Sequence, residues 1–149
     1  MPTKLGRSYD IWWRGAPPHM LKPDIPVWYR FLDKWGHLFI NLYYDVLLGG
    51  PVLSPDQEQD PMWIGWRANV SKRADVIAEL ENEIWIIEVS ARPGLRAVGQ
   101  LMVYLALWLE DPKIIKLEVP VLVIEELDTD LIASAAKYGI RSYVMPLGP

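Results

Sequence analysis

From Val27 onward the apolar positions fall into short, distinct rhythms. Trp28, Phe31, Leu32 and Trp35 recur at i, i+3, i+4 and i+7 just after Pro26, which predicts an amphipathic helix that Gly36 weakens or ends. Residues 39–48 are dense in aromatic and branched side chains and stop at Gly49-Gly50-Pro51, the pattern of a first strand with Asp45 inside it. Residues 51–62 carry three prolines with Asp56, Glu58 and Asp60 and read as an acidic loop. Two further strands, 73–80 and 83–90, meet across Glu81-Asn82, where Asn suits the positive φ of a tight turn. In the second of them Trp85, Ile87 and Val89 make one face while Ile84 and Ile86 begin the other, so both faces are apolar and the strand is central.

Pro93-Gly94 breaks that strand, and the long apolar run 95–109 has helical length. A strand follows at 119–124, with Pro120 confining its start to an edge or an entry position. Asp128 caps a short helix through Tyr138, Gly139 ends it, and 140–144 forms a last strand. The order α-β-β-β-α-β-α-β predicts an α/β sandwich around a mixed sheet. Residues 1–26 stand apart, because Pro2, Pro17, Pro18, Pro23 and Pro26 prevent a long helix or a central strand. They form an arm ahead of a single domain, 27–149. Trp12-Trp13-Arg14 either folds back onto that domain or docks another chain.

A chain of 149 residues, 51% hydrophobic, can bury one compact core. Its net charge of −4 gives no general attraction to nucleic acid, so any nucleic-acid site must be local. With no cysteine, and with His19 and His37 lacking a helical ligand spacing, a metal site here is built from oxygens, and both histidines read as ordinary surface or partly buried residues. No apolar run is long enough to span a bilayer, and the expectation is a soluble, intracellular protein.

The hairpin carries the chemistry. If the connection is two residues long, Leu80 opposes Glu83, and counting back puts Asp75 opposite Glu88 on one sheet face. Cross-strand Cβ atoms lie about 5 Å apart, close enough for two carboxylates to share a divalent cation. Alternation adds Ser90 and Arg92 to the face of Glu88, and Arg73 to that of Asp75. Buried carboxylates need a cation or an arginine beside them. On the following helix Arg96, Gln100 and Tyr104 form a narrow polar stripe at i, i+4 and i+8, which is expected to face the carboxylates.

Asp75, then Glu88-Val89-Ser90, then Gln100 with Tyr104 four residues on, resembles the order Asp, Glu-x-Lys, Gln-x-x-x-Tyr of PD-(D/E)XK nucleases, with Ser90 at the lysine position. The resemblance covers the hairpin and the helix closely, the trailing strand-helix-strand loosely, and the first 60 residues only as helix then strand. It implies a restriction-endonuclease-like α-β-β-β-α-β core with a C-terminal helix and strand. It also implies a DNA phosphodiesterase using Mg²⁺ or Mn²⁺ bound by Asp75, Glu88 and the carbonyl of Val89. Gln100 and Tyr104 would then position the site or the DNA strand. Ser90 can hold a water but supplies neither charge nor a base, which leaves Arg92, Arg73 or Arg96 to stabilise charge. A second reading keeps the nuclease fold as an inactive structural or docking protein, such as a phage neck or head-completion component or an accessory subunit of a DNA-processing complex. It would form an oligomer or a protein complex through Trp12, Trp13 and Trp28. A third makes Asp75 and Glu88 a buried ion pair with Arg73 or Arg92.

Overall fold

The computed structural model of the chain describes residues 2–148. Helix α1 (Asp24–Trp35) leads to strand β1 (Asn41–Leu48), helix α2 (Pro61–Val70) and strands β2 (Lys72–Glu79) and β3 (Glu83–Ser90). Helix α3 (Leu95–Glu110), strand β4 (Leu117–Ile124), helix α4 (Thr129–Ala136) and strand β5 (Arg141–Val144) complete it. The strands form one mixed sheet in the order β1-β2-β3-β4-β5. β1, β2 and β3 run antiparallel to one another, whereas β3, β4 and β5 are parallel. Parallel neighbours need a crossover, and α3 and α4 supply the two that are required. The protein is therefore α/β, a five-stranded mixed sheet flanked by helices. Among the described residues no helix is long and apolar enough to cross a membrane.

β3 is the middle strand, and its residues from Ile84 to Val89 are buried on both faces, as its doubly apolar pattern predicts. One face packs Val76, Ala78, Trp85, Ile87 and Val89 against Trp28 and Phe31 of α1. The other packs Ile77, Ile84 and Ile86 against Leu101 and Trp108 of α3 and Leu131 of α4. α1 starts earlier than its apolar rhythm, at Asp24, with Pro26 in the first turn, where backbone N–H groups have no intrahelical partner. Pro120 sits one residue before β5 begins to pair with β4, so that stretch of β4 is hydrogen-bonded only to β3.

Two expectations are corrected, and the roll of α3 is settled by the structure. The acidic loop ends in a helix, α2, capped by the Asp60 carboxylate accepting from Met62 N–H, with Pro61 at the first helical position. The hairpin does have a two-residue connection, with Leu80 N–H donating to the Glu83 carbonyl at 2.9 Å, yet neither Glu81 nor Asn82 takes a positive φ. On α3 the buried positions are Ala97, Leu101, Tyr104 and Trp108, while Leu95 and Met102 are exposed. The helix is thus rolled so that Tyr104, at one edge of the predicted polar stripe, lies in its inner face.

β1 and β2 also depart from simple alternation. Leu42 and Tyr44 belong to the core under α1, but Val46 and Leu48 belong to the core under α3. On β2, Val76 and Ala78 lie under α1, and Ala74 under α3. Residues two apart share a face in a regular strand, so both strands roll over at one level, between the pairs Tyr44↔Val76 and Val46↔Ala74. Asp45 and Asp75 occupy that level. Asp45 has φ +52°, the left-handed region that non-glycine residues seldom enter, which breaks the alternation of β1 at that level.

The N-terminal arm folds back along β1. Lys4 and Tyr9 make antiparallel bridges to Leu47 and Leu42, and Thr3 N–H donates to Asp111 at 3.0 Å. Tyr9 meets Tyr44 edge to face and Trp13 meets it at a tilt, with ring centroids 4.9 and 5.8 Å away. Trp28 is fully buried, its indole N–H donating to the Tyr44 hydroxyl at 2.9 Å, so it cannot serve as a docking side chain. Trp13 is half-buried against the core, and of the three tryptophans only Trp12, 77% exposed, faces outward.

Candidate active site

Continuing the β2–β3 register one step beyond its last pair, Val76↔Ile87, places Asp75 opposite Glu88. The two carboxyls face each other closely enough for the charge of Asp75 to be felt at Glu88, and Val89 N–H donates to Asp75 Oδ2 at 2.9 Å. Both acids are held well above the ordinary carboxylate range. Burial is the main cause for each, and the neighbouring negative charge adds to it at Glu88, which takes the proton first. Glu88 Oε2 is buried and has no hydrogen-bond partner among the described residues. An orphaned buried carboxylate oxygen is costly, so it marks a position prepared to accept a donor or a cation.

The polar stripe of α3 stands over this pair. Arg96 is the cation whose charge is felt at both Glu88 and Tyr104. Burial, with the charges of Glu88 and Asp75 beside it, pushes the Tyr104 phenol up to about 12, against a smaller opposing influence from Arg96 and Gln100. At neutral pH Tyr104 is therefore a hydrogen-bond donor next to the carboxylates. Lys72, Arg96, Gln100 and Tyr104 line a groove of about 500 Å³ with no acidic side chain in its wall. Lys72 and Arg96 make no ion pair among the described residues, which leaves two cations available in a chain of net charge −4.

Two of the expected charge stabilisers lie elsewhere. Arg73 does not join Asp75, because the roll of β2 at Asp75 ends the alternation on which that placement rested. Its Nη1 bonds Asp45 Oδ2 at 2.6 Å instead. Arg92 is past the end of β3, exposed, and lines a second groove with Leu21, Pro23, Asp24, Ser90 and Ala91. Neither arginine is paired with Asp75 or Glu88, which removes the buried ion-pair reading of those two acids. Ser90, half-buried at the last position of β3, has no side-chain hydrogen bond among the described residues.

Asp24, not singled out from the sequence, belongs to the same site. It opens α1, accepts Ala91 N–H at 2.8 Å and adds negative charge at both Asp75 and Glu88. Burial raises its own pKa. Its only signal in the sequence was an acid in a first helical turn, which is also what an ordinary helix start shows. Lys72 was equally silent, as a strand-end lysine is the commonest kind of solvated charge. Among the described residues no three Asp, Glu or His side chains converge as a metal cage. The oxygen donors at the site are the Asp75 and Glu88 carboxylates, with Asp24 and the Ser90 hydroxyl at its margin. No family model, curated protein or solved structure matches this chain.

Proposed function

We propose that the chain is a Mg²⁺- or Mn²⁺-dependent DNA phosphodiesterase of the PD-(D/E)XK type, with a restriction-endonuclease-like core and Ser90 in place of the usual lysine. The observation that carries this reading is the Asp75–Glu88 pair: a half-buried Asp75 facing a buried Glu88 whose Oε2 is orphaned, beneath Arg96, Gln100 and Tyr104. Asp75 and Glu88, with the Val89 carbonyl, would hold the cation. Bound there, it would displace the proton that Glu88 holds, neutralise the two acids and polarise a phosphate ester.

The chain's own residues do the rest. Arg96 and Lys72 place positive charge along the groove, where a phosphodiester strand would lie. Tyr104, kept protonated, donates to a phosphate oxygen, and Gln100 lines the groove beside it. Ser90 can orient a water but cannot take its proton, since a hydroxyl is no base at neutral pH.

Calorimetric titration with Mn²⁺ and a plasmid or branched-DNA cleavage assay test this together. Wild type should bind Mn²⁺ and cut, while Asp75→Ala and Glu88→Ala should do neither. Absence of cleavage of every DNA form with both metals would end the nuclease reading. A second reading, a nuclease-fold docking module, draws on the apolar face of α2, where Met62, Trp63 and Trp66 are exposed and the two indoles stand edge to face at 5.5 Å. It requires a defined oligomer or a partner bound at those residues, and sedimentation showing a monomer at every concentration with no co-purifying protein would count against it.

A further inference from the structure

Two non-glycine residues among those described have a positive φ, His19 at +60° and Asp45 at +52°, and they are hydrogen-bonded to each other. His19 Nδ1 lies 2.7 Å from Asp45 Oδ2, the same oxygen that accepts from Arg73 Nη1 at 2.6 Å. Left-handed backbone at such residues costs of order 1 kcal/mol each and persists only where the surroundings impose it. Here both strained positions serve one contact.

That contact is next to the carboxylate pair. Asp45 and Asp75 share the level at which β1 and β2 roll over, and the charge of Asp45 is felt at Asp75. After His19 the chain passes directly to Asp24, which touches Ala91 and adds charge at Glu88. Residues 19–24 therefore run from β1 to the end of β3, and Leu21, Pro23 and Asp24 line a groove together with Ser90. Asp45 is an acceptor, so Nδ1 carries the hydrogen of that bond, which in the neutral ring places the lone pair on Nε2. The ring is largely exposed, its side chain 66% accessible. The groups facing it are Asp45 from β1 and Arg73 from β2, with Asp75 behind them.

Resting on the phosphodiesterase reading, we propose that His19, oriented by Asp45 and braced through it by Arg73, is the general base that the serine at position 90 cannot be. Nε2 takes a proton from the attacking water, and the water oxygen bonds to phosphorus. The bond from phosphorus to the leaving ester oxygen breaks with its electron pair going to that oxygen, which takes a proton from solvent. The imidazolium then returns its proton to bulk water. Asp45 is a positioning residue in this scheme, and the positive φ at positions 19 and 45 is what brings an N-terminal side chain to the site.

The test uses the full chain carrying His19→Gly, because glycine accepts the positive φ without strain and leaves room for added imidazole. With Mn²⁺ and plasmid DNA, cleavage should fall about a hundred-fold, the usual contribution of a general base, and imidazole should restore at least about ten-fold of it. Mn²⁺ affinity by calorimetry and the thermal midpoint should match wild type, and Asp75→Ala should not respond to imidazole. If His19→Gly cuts like wild type, the base is not His19 and the nuclease reading stands. A loss that imidazole does not relieve, or one accompanied by weaker Mn²⁺ binding or a lower midpoint, makes the contact a staple for the arm and overturns the proposal. A wild type that cuts nothing, or an Asp75→Ala variant that cuts normally, overturns both readings.

Discussion

The β2–β3 hairpin carries a pair of carboxylates at each end, and the two ends treat them in opposite ways. Near the turn, Glu79 accepts from Asn41 and pairs with Lys116 at 2.8 Å, while Glu83 accepts from Trp85 Nε1 and pairs with Arg141 at 3.1 Å. Those hydrogen bonds, and then the cations, hold both acids below the ordinary carboxylate range. At the open end Asp75 and Glu88 have each other, one backbone N–H and one unpaired oxygen, and burial holds both above it. The same two strands thus use acids to close the sheet at one end and leave them unsatisfied at the other. Unsatisfied buried carboxylates weaken a fold, and they persist where something binds them.

The sharpest break of this contrast is Glu88→Gln. Cleavage should fall by about two orders of magnitude or more, with Mn²⁺ binding lost in calorimetry, while metal-free stability at neutral pH stays level or rises. A variant that loses stability and keeps cleavage would reverse the roles of the two ends.

The pH dependence of metal-free stability should follow next. At the open end the folded chain holds protons that the unfolded chain has released, so that contribution is present at acid pH and is lost as pH climbs from the ordinary carboxylate range near 4 through neutrality. The turn end has the opposite sign, its contribution being present above the ordinary range and lost as pH falls through the lowered values. Urea unfolding between pH 5 and 9 should therefore show stability falling with rising pH, by of order a few kcal/mol, and Glu88→Gln should flatten most of that slope. Saturating Mn²⁺ should remove it in the wild type.

The smallest effects belong to the turn end. Lys116→Met and Arg141→Ala should each cost about 1 kcal/mol or less in urea unfolding and leave cleavage unchanged, as partly exposed ion pairs do. A large loss of cleavage from either would mean that the turn end is coupled to the site.

Much of this was legible in the sequence because it depends on periods and short counts. The apolar rhythm of α1, the doubly apolar β3 and the length of α3 follow from spacing alone, and the two-residue connection was enough to set Asp75 opposite Glu88. α2 was missed although Asp60-Pro61 is a helix-start signal, because the acids and prolines around it read as loop. Arg73 was misplaced for a different reason. Alternation holds along a regular strand, and β2 is not regular at Asp75. Trp28 and Trp12 look alike in sequence, yet one is fully buried and the other 77% exposed.

By itself, then, the sequence determined the elements and the level at which the two hairpin acids face each other, since both follow from contacts among near neighbours in the chain. Tertiary structure alone decided what surrounds that pair. The Asp45 carboxylate meets His19, 26 residues before it, and Arg73, 28 after it, and Asp24 reaches Ala91 across 67. Such pairings have no period. They depend on the left-handed turn of β1 at Asp45, on the arm folding back beside it, and on the roll of α3 that turns Tyr104 inward over Glu88.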